Sequence, residues 1–374
     1  MTSMVPIEHF CCQNSQCPDA GRRGHGNLTF RGYSGKTRRI RMVYCRTCKA
    51  RFSERKGTVL EHARLPDEKA LAILNHLREG CGTRATGRLV EVDKNTVTRY
   101  LALAGIHSES LHDELVAFSS RTRKVQVDEK WGFVPQKEKS CDPLDPLDRL
   151  RGDDWDHTAV DPESRLLLAL VPGKRDGPTC ERLIRQVRDR TGGRTDLLLT
   201  SDEHAPYETA IREVYGVETP RPRRPGPGRP PKPVKVVPAE TCYATVRKRR
   251  EKGRVVEVVR TLVFGTLYLL GGLLKRSTAS TTINTSFVER NNGTDRHQNS
   301  RKRRKTYAFS KDLAMHRAAS YFIGYSDNFC WPVRTLRDRE ADGPWRARTP
   351  AMAAGLSDHV WTTEEWITYP AKPR

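Results

Sequence analysis

Apolar residues recur along the chain with two periods, and the switches between them predict its elements. Leu71, Leu74 and Leu77 fall on one helical face, with Asp67 as candidate N-cap. A short helix is predicted over 83–89, weakened by Gly87. A third follows over 94–104, capped by Asp93, with Val97, Leu101 and Ala104 inward. Beyond residue 120 the period shortens to two. Val125 and Val127 alternate in TRKVQVD, and WDHTAVD and SRLLLALV read as further strands. Leu183, Ile184 and Val187 return to helical spacing over 179–190. DLLLTSD then reads as a short buried strand ending in an acid. Segments 241–248 and 254–265 predict a hairpin turning near Gly253, and a last helical block covers roughly 285–325. The most apolar stretch, 262–274, reads as buried core. The tail after Trp331 has weak periodicity and is expected to be partly disordered.

With 374 residues, the chain suits two or three domains of ~150 residues rather than one. Its net charge of +22 points to a polyanionic partner. The segment 219–235 holds seven prolines, six basic residues and no acid. It can form neither a helix nor a central strand, and reads as an exposed linker or an arm lying along phosphates. The first residues carry no apolar run of the signal-peptide kind. The apolar stretch 262–274 contains two consecutive glycines and is shorter than the ~20 residues a membrane span needs. A membrane partner is therefore not expected.

Five of the ten cysteines lie before residue 50. Cys12 and Cys17 form C-x4-C, and Cys45 and Cys48 form C-x2-C. Two such turns joined by a hairpin predict one tetrahedral structural Zn²⁺, with Cys11 as an alternative ligand and His25 as a weaker one. Metal binding would supply the folding energy that so small a core lacks. Arg31, Lys36, Arg38, Arg39 and Arg41, with Tyr33 and Tyr44 among them, would give this module a phosphate-facing surface. The second and third predicted helices and their short turn have the order of a helix-turn-helix. Lys94, Asn95, Thr98 and Arg99 lie outward near the start of the second, where a major groove would be read. The alternative is a plain helical bundle linking two domains.

Three acids stand at special places: Asp128 and Asp202 at strand ends, Glu289 at the opening of a basic helical block. A sheet that gathered them could hold two Mg²⁺ (or Mn²⁺) ions for phosphodiester chemistry. By spacing alone the signal is weak, and structural or capping roles are the more common reading. Glu129 should point to the opposite face from Asp128, as a surface or supporting residue. Asp161 is expected to serve a turn.

These residues together resemble the insertion-sequence-one family of transposases, over most of the chain to about Arg337. The cysteine pairs are similar to that family's ribbon, and TRATGRLVEVDKNTVTRYL to its helix-turn-helix. VDEKW, TSDEHAPY and VERNNGTDRH carry its Asp, Asp, Glu signature, and RKTYAFSKD, with Lys305, Phe309 and Lys311, continues its ending. Glu203, Gly293, Asp295 and the Pro-Arg insert depart from the pattern. The resemblance implies an α+β multidomain protein: a zinc ribbon over 1–62, a helix-turn-helix over 63–110, and an RNase H-like α/β core over 118–330. That core would have a mixed sheet and an inserted hairpin within about 216–281, and the tail would be 331–374. It implies Asp128, Asp202 and Glu289 as catalytic residues and Mg²⁺ ligands, with Lys305 on DNA. If Glu289 opens a helix, Asn292 and Arg296 share its face, so that Arg296 and, as an auxiliary group, His297 would approach the reacting phosphate. A basic helix face contacting DNA without a catalytic part is the equal alternative. The partner would be double-stranded DNA, both element ends and target, bound by a homodimer or larger oligomer. The setting would be the cytoplasm and nucleoid of a prokaryote. The competing expectations are a regulator that kept the DNA-reading front and lost the chemistry, and a nuclease or resolvase on the same core.

Overall fold

The computed structural model describes residues 5–35, 39–119, 121–221, 231–339 and 343–373. The chain divides into two compact units. The first comprises Met1–Leu115, Gln298–Thr349 and Asp358–Arg374, and the second Val116–His297 and Pro350–Ser357.

The first unit opens with a three-stranded antiparallel sheet, β1 (Leu28–Ser34), β2 (Ile40–Cys45) and β3 (Arg51–Ser53). Its core is Phe10, Leu28, Val43, Phe52 and three of the cysteines, Cys12, Cys17 and Cys45. So small an apolar set needs a further staple. Three helices follow: α1 (Asp67–Arg78), α2 (Thr83–Val90) and α3 (Lys94–Leu115). Asp67 does not cap α1. It lies in the first turn, its carboxylate is taken by Arg55 at 2.5 Å, and Pro66 occupies the N-cap. Asp93 does cap α3, accepting from the Asn95 N–H at 2.8 Å. The turn between α2 and α3 has no glycine, and Glu91 takes the left-handed conformation instead (φ 58°). Gly87 serves this turn from one helical turn earlier. The Val92 N–H bonds its carbonyl at 2.9 Å, and a Cβ on Gly87 would meet Val92 O at 2.9 Å.

The second unit is built on a six-stranded mixed sheet. Its strands are β4 (Lys124–Val134), β5 (Gly152–Val160), β6 (Leu167–Gly173) and β7 (Leu198–Ser201), then, beyond a two-stranded pair β8 (Val217–Thr219) and β9 (Val234–Val236), β10 (Cys242–Glu251) and β11 (Arg254–Phe264). The order is β11-β10-β7-β4-β5-β6. β7 runs parallel to both neighbours, and the other pairs are antiparallel. This mixed α+β arrangement is consistent with an RNase H-like core. Helices α4 (Gly177–Arg190) and α5 (Pro206–Tyr215) follow β6 and β7. Asp176 caps α4 through the Thr179 N–H, and Leu183, Ile184 and Val187 are fully buried. Of the proline-rich segment, residues 222–230 lie outside the described residues, as do Lys36 and Arg38.

The apolar stretch 262–274 is not simply core. It spans the end of edge strand β11 and helix α6 (Leu267–Lys275), of which Leu270 and Leu273 are buried. Leu267 and Tyr268 are 77% and 88% exposed. Hydrophobic composition alone cannot tell one helix face from the other. The last helical block is two helices, α7 (Ser286–Gln298) and α8 (Leu313–Cys330), joined by a non-helical segment. In the first unit α8 lies against α3, close enough that a Cβ on Gly105 would sit 2.5 Å from Ala318 Cα. Among its described residues the tail carries regular structure rather than being loose. After a short α9 (Pro350–Ala354), helix α10 (Thr363–Thr368) opens with a capping box of Thr362 and Glu365. Its Trp366 is fully buried and donates to Ser108 Oγ at 2.9 Å. The Ala371 N–H then reaches Gly57 O at 2.8 Å. A few large side chains fix this tail, which is why periodicity gives no warning of it.

Candidate active site

Central strand β4 sets the geometry, and Asp128 lies inside it rather than at its end, because the pairing with β5 continues to Val134. Its alternation sends Gln126, Asp128 and Lys130 to the face covered by α7, and Val125, Val127 and Glu129 to the other. Gln126 accepts from the backbone N–H groups of Phe287 and Val288 at 2.9 and 3.1 Å, so the start of α7 is hydrogen-bonded to this strand. One turn on, Asn292 Nδ2 donates to Asp128 Oδ2 at 2.8 Å. Thr158 on β5 donates to Asn292 Oδ1 at 3.1 Å and so fixes which end of the amide faces the acid. Lys130, 1% exposed, bonds Asp295 and lies 3.3 Å from Asp156. Asp295, one of the departures from the resembled pattern, is thus a buried counter-charge.

Parallel pairing sets Gln126 opposite Thr200, so the chain after β7 brings Asp202 level with Asp128. Burial, followed by the nearby Glu129 charge, raises the Asp128 carboxyl to about 6. Asn292 opposes the shift and Asp202 adds to it. Among the described residues no cation pairs with Asp128. Asp202 is half exposed, and Arg175 lies 4.0 Å from it. Glu289, at the start of α7, accepts from Thr285 Oγ1 at 2.6 Å and from Lys248 Nζ at 2.5 Å. Asp202 and Glu289 line one open cleft of about 530 Å³ with Arg175, Arg247, Lys248 and Thr285. The three carboxylates do not all approach within 4.8 Å of one another.

Glu129 points away from Asp128 as alternation requires, but it is not a surface residue. Its side chain is 2% exposed, accepts from Arg175 Nε at 2.6 Å and from Tyr207 OH at 3.3 Å, and shares Arg175 with Asp202. Sequence reasoning misses Arg175 altogether, because its role depends on a fold that brings the β6–α4 loop to the end of β7. Asp161 serves a turn, accepting from the Glu163 N–H at 2.8 Å.

In the first unit Cys12, Cys17, Cys45 and Cys48 come together, every sulfur within 4.8 Å of the others. Burial raises the Cys12 and Cys17 thiols. At Cys48 burial is outweighed by hydrogen bonds from the Ala50 N–H and Cys12, which bring it down to about 7. Cys11 stands apart, accepting from Gln13 at 3.3 Å, and His25 lies 3.4 Å from Asp19. Arg31 stacks over Tyr44, and Arg39 over Tyr33. Arg41, in contrast, is tied to Glu54 at 2.5 Å. On α3, Lys94, Asn95 and Arg99 are exposed, and Thr98 is half-buried with its hydroxyl on Lys94 O. In the last turn of α7 Arg296 is half-buried and His297 exposed, and Lys305 is exposed beyond it.

No protein-family model and no curated protein matches the chain. Solved structures similar to part of it include a Mos1 transposase paired-end complex with left transposon end. That likeness has 18% identity over 40% of this chain and 56% of that one, with a TM-score of 0.16. The Mos1 strand transfer complex is similar at 19% identity, over 40% and 55%, with a TM-score of 0.16. The Mos1 mariner paired end complex with Mn is similar at 15%, over 41% and 56%, with a TM-score of 0.17. The chain spans just over half the length of each.

Proposed function

We propose that this protein is a DNA transposase of the insertion-sequence-one type, with Asp128, Asp202 and Glu289 as its catalytic carboxylates. The observation that carries the reading is Asp128: a largely buried acid, raised to about 6, beside Asp202 and Glu129 and with no cation of its own among the described residues. A fold tolerates such a charge deficit where a ligand relieves it. The donors are all carboxylate oxygens, which suits Mg²⁺ or Mn²⁺, and Asp128, Asp202 and Glu289 are the residues that would hold two such ions. Bound there, the ions would lower the pKa of the attacking water or 3′-hydroxyl and stabilise the leaving oxygen.

The chain's own side chains do the positioning. Asn292, itself held by Thr158, presents its amide to Asp128. Arg175 joins Glu129 to the Asp202 side of the cleft, and Lys248 and Thr285 hold Glu289. Arg247 and Lys248 give the cleft the positive rim that a phosphate backbone needs. The four clustered thiols fit one structural Zn²⁺ with Cys12, Cys17, Cys45 and Cys48 as ligands. Lys94, Asn95, Thr98 and Arg99 would read the element's ends in a major groove, and Arg296 and Lys305 would contact the backbone, with His297 near the reacting phosphate. The working form would be a homodimer or larger assembly on nucleoid DNA.

The test uses labelled duplexes cut from the DNA flanking this protein's own reading frame, with Mg²⁺ or Mn²⁺. Asp128→Asn, Asp202→Asn and Glu289→Gln should each abolish cleavage and joining while end binding survives. Wild-type cleavage by any one of them removes that residue from the site. An unmodified protein that binds ends and never cuts would favour the regulator instead.

A further inference from the structure

β10 and β11 leave the sheet together as a ribbon. β7 pairs with β10 only from Cys242 to Thr245, whereas β10 and β11 stay paired out to Glu251 and Arg254. Past Thr245 the structure is two strands wide for roughly 20 Å, at ~3.3 Å per residue. Every residue from Arg249 to Glu257 is exposed, on both faces, including Val255 and Val256 at 44% and 47%. A lone two-stranded ribbon is marginal in water, so nothing in its own packing explains this sequence.

Its charge has a direction. Between Arg247 and Arg260 stand seven basic side chains and two acids. Arg249 is engaged by Glu251 and Glu257. Among the described residues Arg250, Lys252 and Arg254 have no ion-pair partner. The root of the ribbon sits on the carboxylate cleft, with Lys248 on Glu289 and Arg247 3.6 Å from Glu203. Anything bound along the ribbon is therefore led to Asp202 and Glu289.

We propose that this ribbon is a second duplex-DNA contact, distinct from the helix-turn-helix, which enters a groove beside the reacting phosphate. A major groove about 12 Å wide admits a two-stranded ribbon. Arg250, Lys252 and Arg254 neutralise the phosphates along its walls, and Val255 and Val256 meet the base edges. The inference rests on the DNA reading above.

The experiment measures the anisotropy of a labelled mixed-sequence duplex, about three helical turns long, against the full-length protein over a range of salt. The ribbon variant combines Arg250→Gln, Lys252→Asn and Arg254→Gln. Lys252 has φ 47° and Gly253 φ 79°, so an Asn-Gly pair keeps the turn. The control removes three charges elsewhere on the same unit: Arg185→Gln, Arg212→Gln and Lys235→Gln. Each phosphate contact contributes about 0.9 to the slope of log affinity against log salt. The ribbon variant should lose about 2 to 3 of that slope and bind at least ~10-fold more weakly at low salt, while the control stays near wild type. A wild-type slope that the ribbon variant keeps, or that both variants lose equally, overturns the ribbon alone. A wild-type protein without salt-dependent duplex binding overturns the DNA reading as well.

Discussion

Replacing Asp128 with Asn should stabilise the protein while destroying its chemistry, and the gain should depend on pH in a fixed direction. The carboxyl is held at about 6 against an ordinary 3.8, first by burial and then by the Glu129 charge. A folded-state value above the unfolded one means that the folded chain binds this proton more tightly. Stability is therefore lost as pH rises from about 4 through about 6, and above that the whole cost is present. At ~1.4 kcal/mol for each pH unit between the two values, the cost is at most about 3 kcal/mol, and partial exposure reduces it to roughly 1–3. The substitution keeps the geometry, because the oxygen of the new amide can still accept from Asn292. For a unit of this size each kcal/mol is worth about 2–4 °C, so the variant should melt roughly 5 °C higher at pH 8 and level with wild type near pH 4. Calorimetry in chelator-containing buffer reads this directly. Added Mn²⁺ should then raise the wild-type transition more than the variant's. If Asp128→Asn melts at or below wild type at pH 8, Asp128 is not the unrelieved charge described above.

Cys45→Ser should release about one zinc per chain and unfold the β1–β3 module, since binding and folding are coupled in so small a core. Zinc analysis and far-ultraviolet dichroism check this, and freshly purified protein that holds no zinc without chelator treatment would refute it. Gly105→Ala should destabilise the first unit by about 1–3 kcal/mol. The added Cβ meets Ala318 at 2.5–2.6 Å, which outweighs the ~1 kcal/mol gained in helix propensity. A raised melting temperature would show that the α3–α8 crossing has room.

Local signals are the legible ones. The cysteine pairs, the Val125 and Val127 alternation, the Asp93 cap and the turn at Gly253 each involve residues close in sequence, and each corresponds to a feature of the structure. Long-range partners are not legible. Asp67 looks like a cap until Arg55 is seen beside it, and Trp366 looks like an unplaced aromatic until Ser108 receives its N–H. The 262–274 stretch misleads because composition carries no helical face, and Leu267 and Tyr268 within it are strongly exposed. Arg175 gives no signal, since a loop arginine acquires meaning only when the sheet places Glu129 and Asp202 around it.

The strand that carries Asp128 shows why the candidate site is half visible in the sequence. Its alternation of valines with Gln126, Asp128 and Lys130 reads as a strand with one wet face, yet Gln126 and Lys130 are 4% and 1% exposed. The polar face is covered by the α7 region, and each position meets a chosen partner there. Gln126 takes Asn284 and the N–H groups of Phe287 and Val288, Asp128 takes Asn292, and Lys130 takes Asp295. An apolar face would bind a helix in many registers, whereas a one-residue slip here would strand a buried lysine, a buried amide and an acid together. Such a contact stabilises less than valines and leucines would, and it specifies more. That exchange makes sense if the position of Glu289 relative to Asp128 matters more than the strength of docking. Asp295, which looks like a defect when α7 is read as a sequence, is then the buried counter-charge that fixes the far end of the same register.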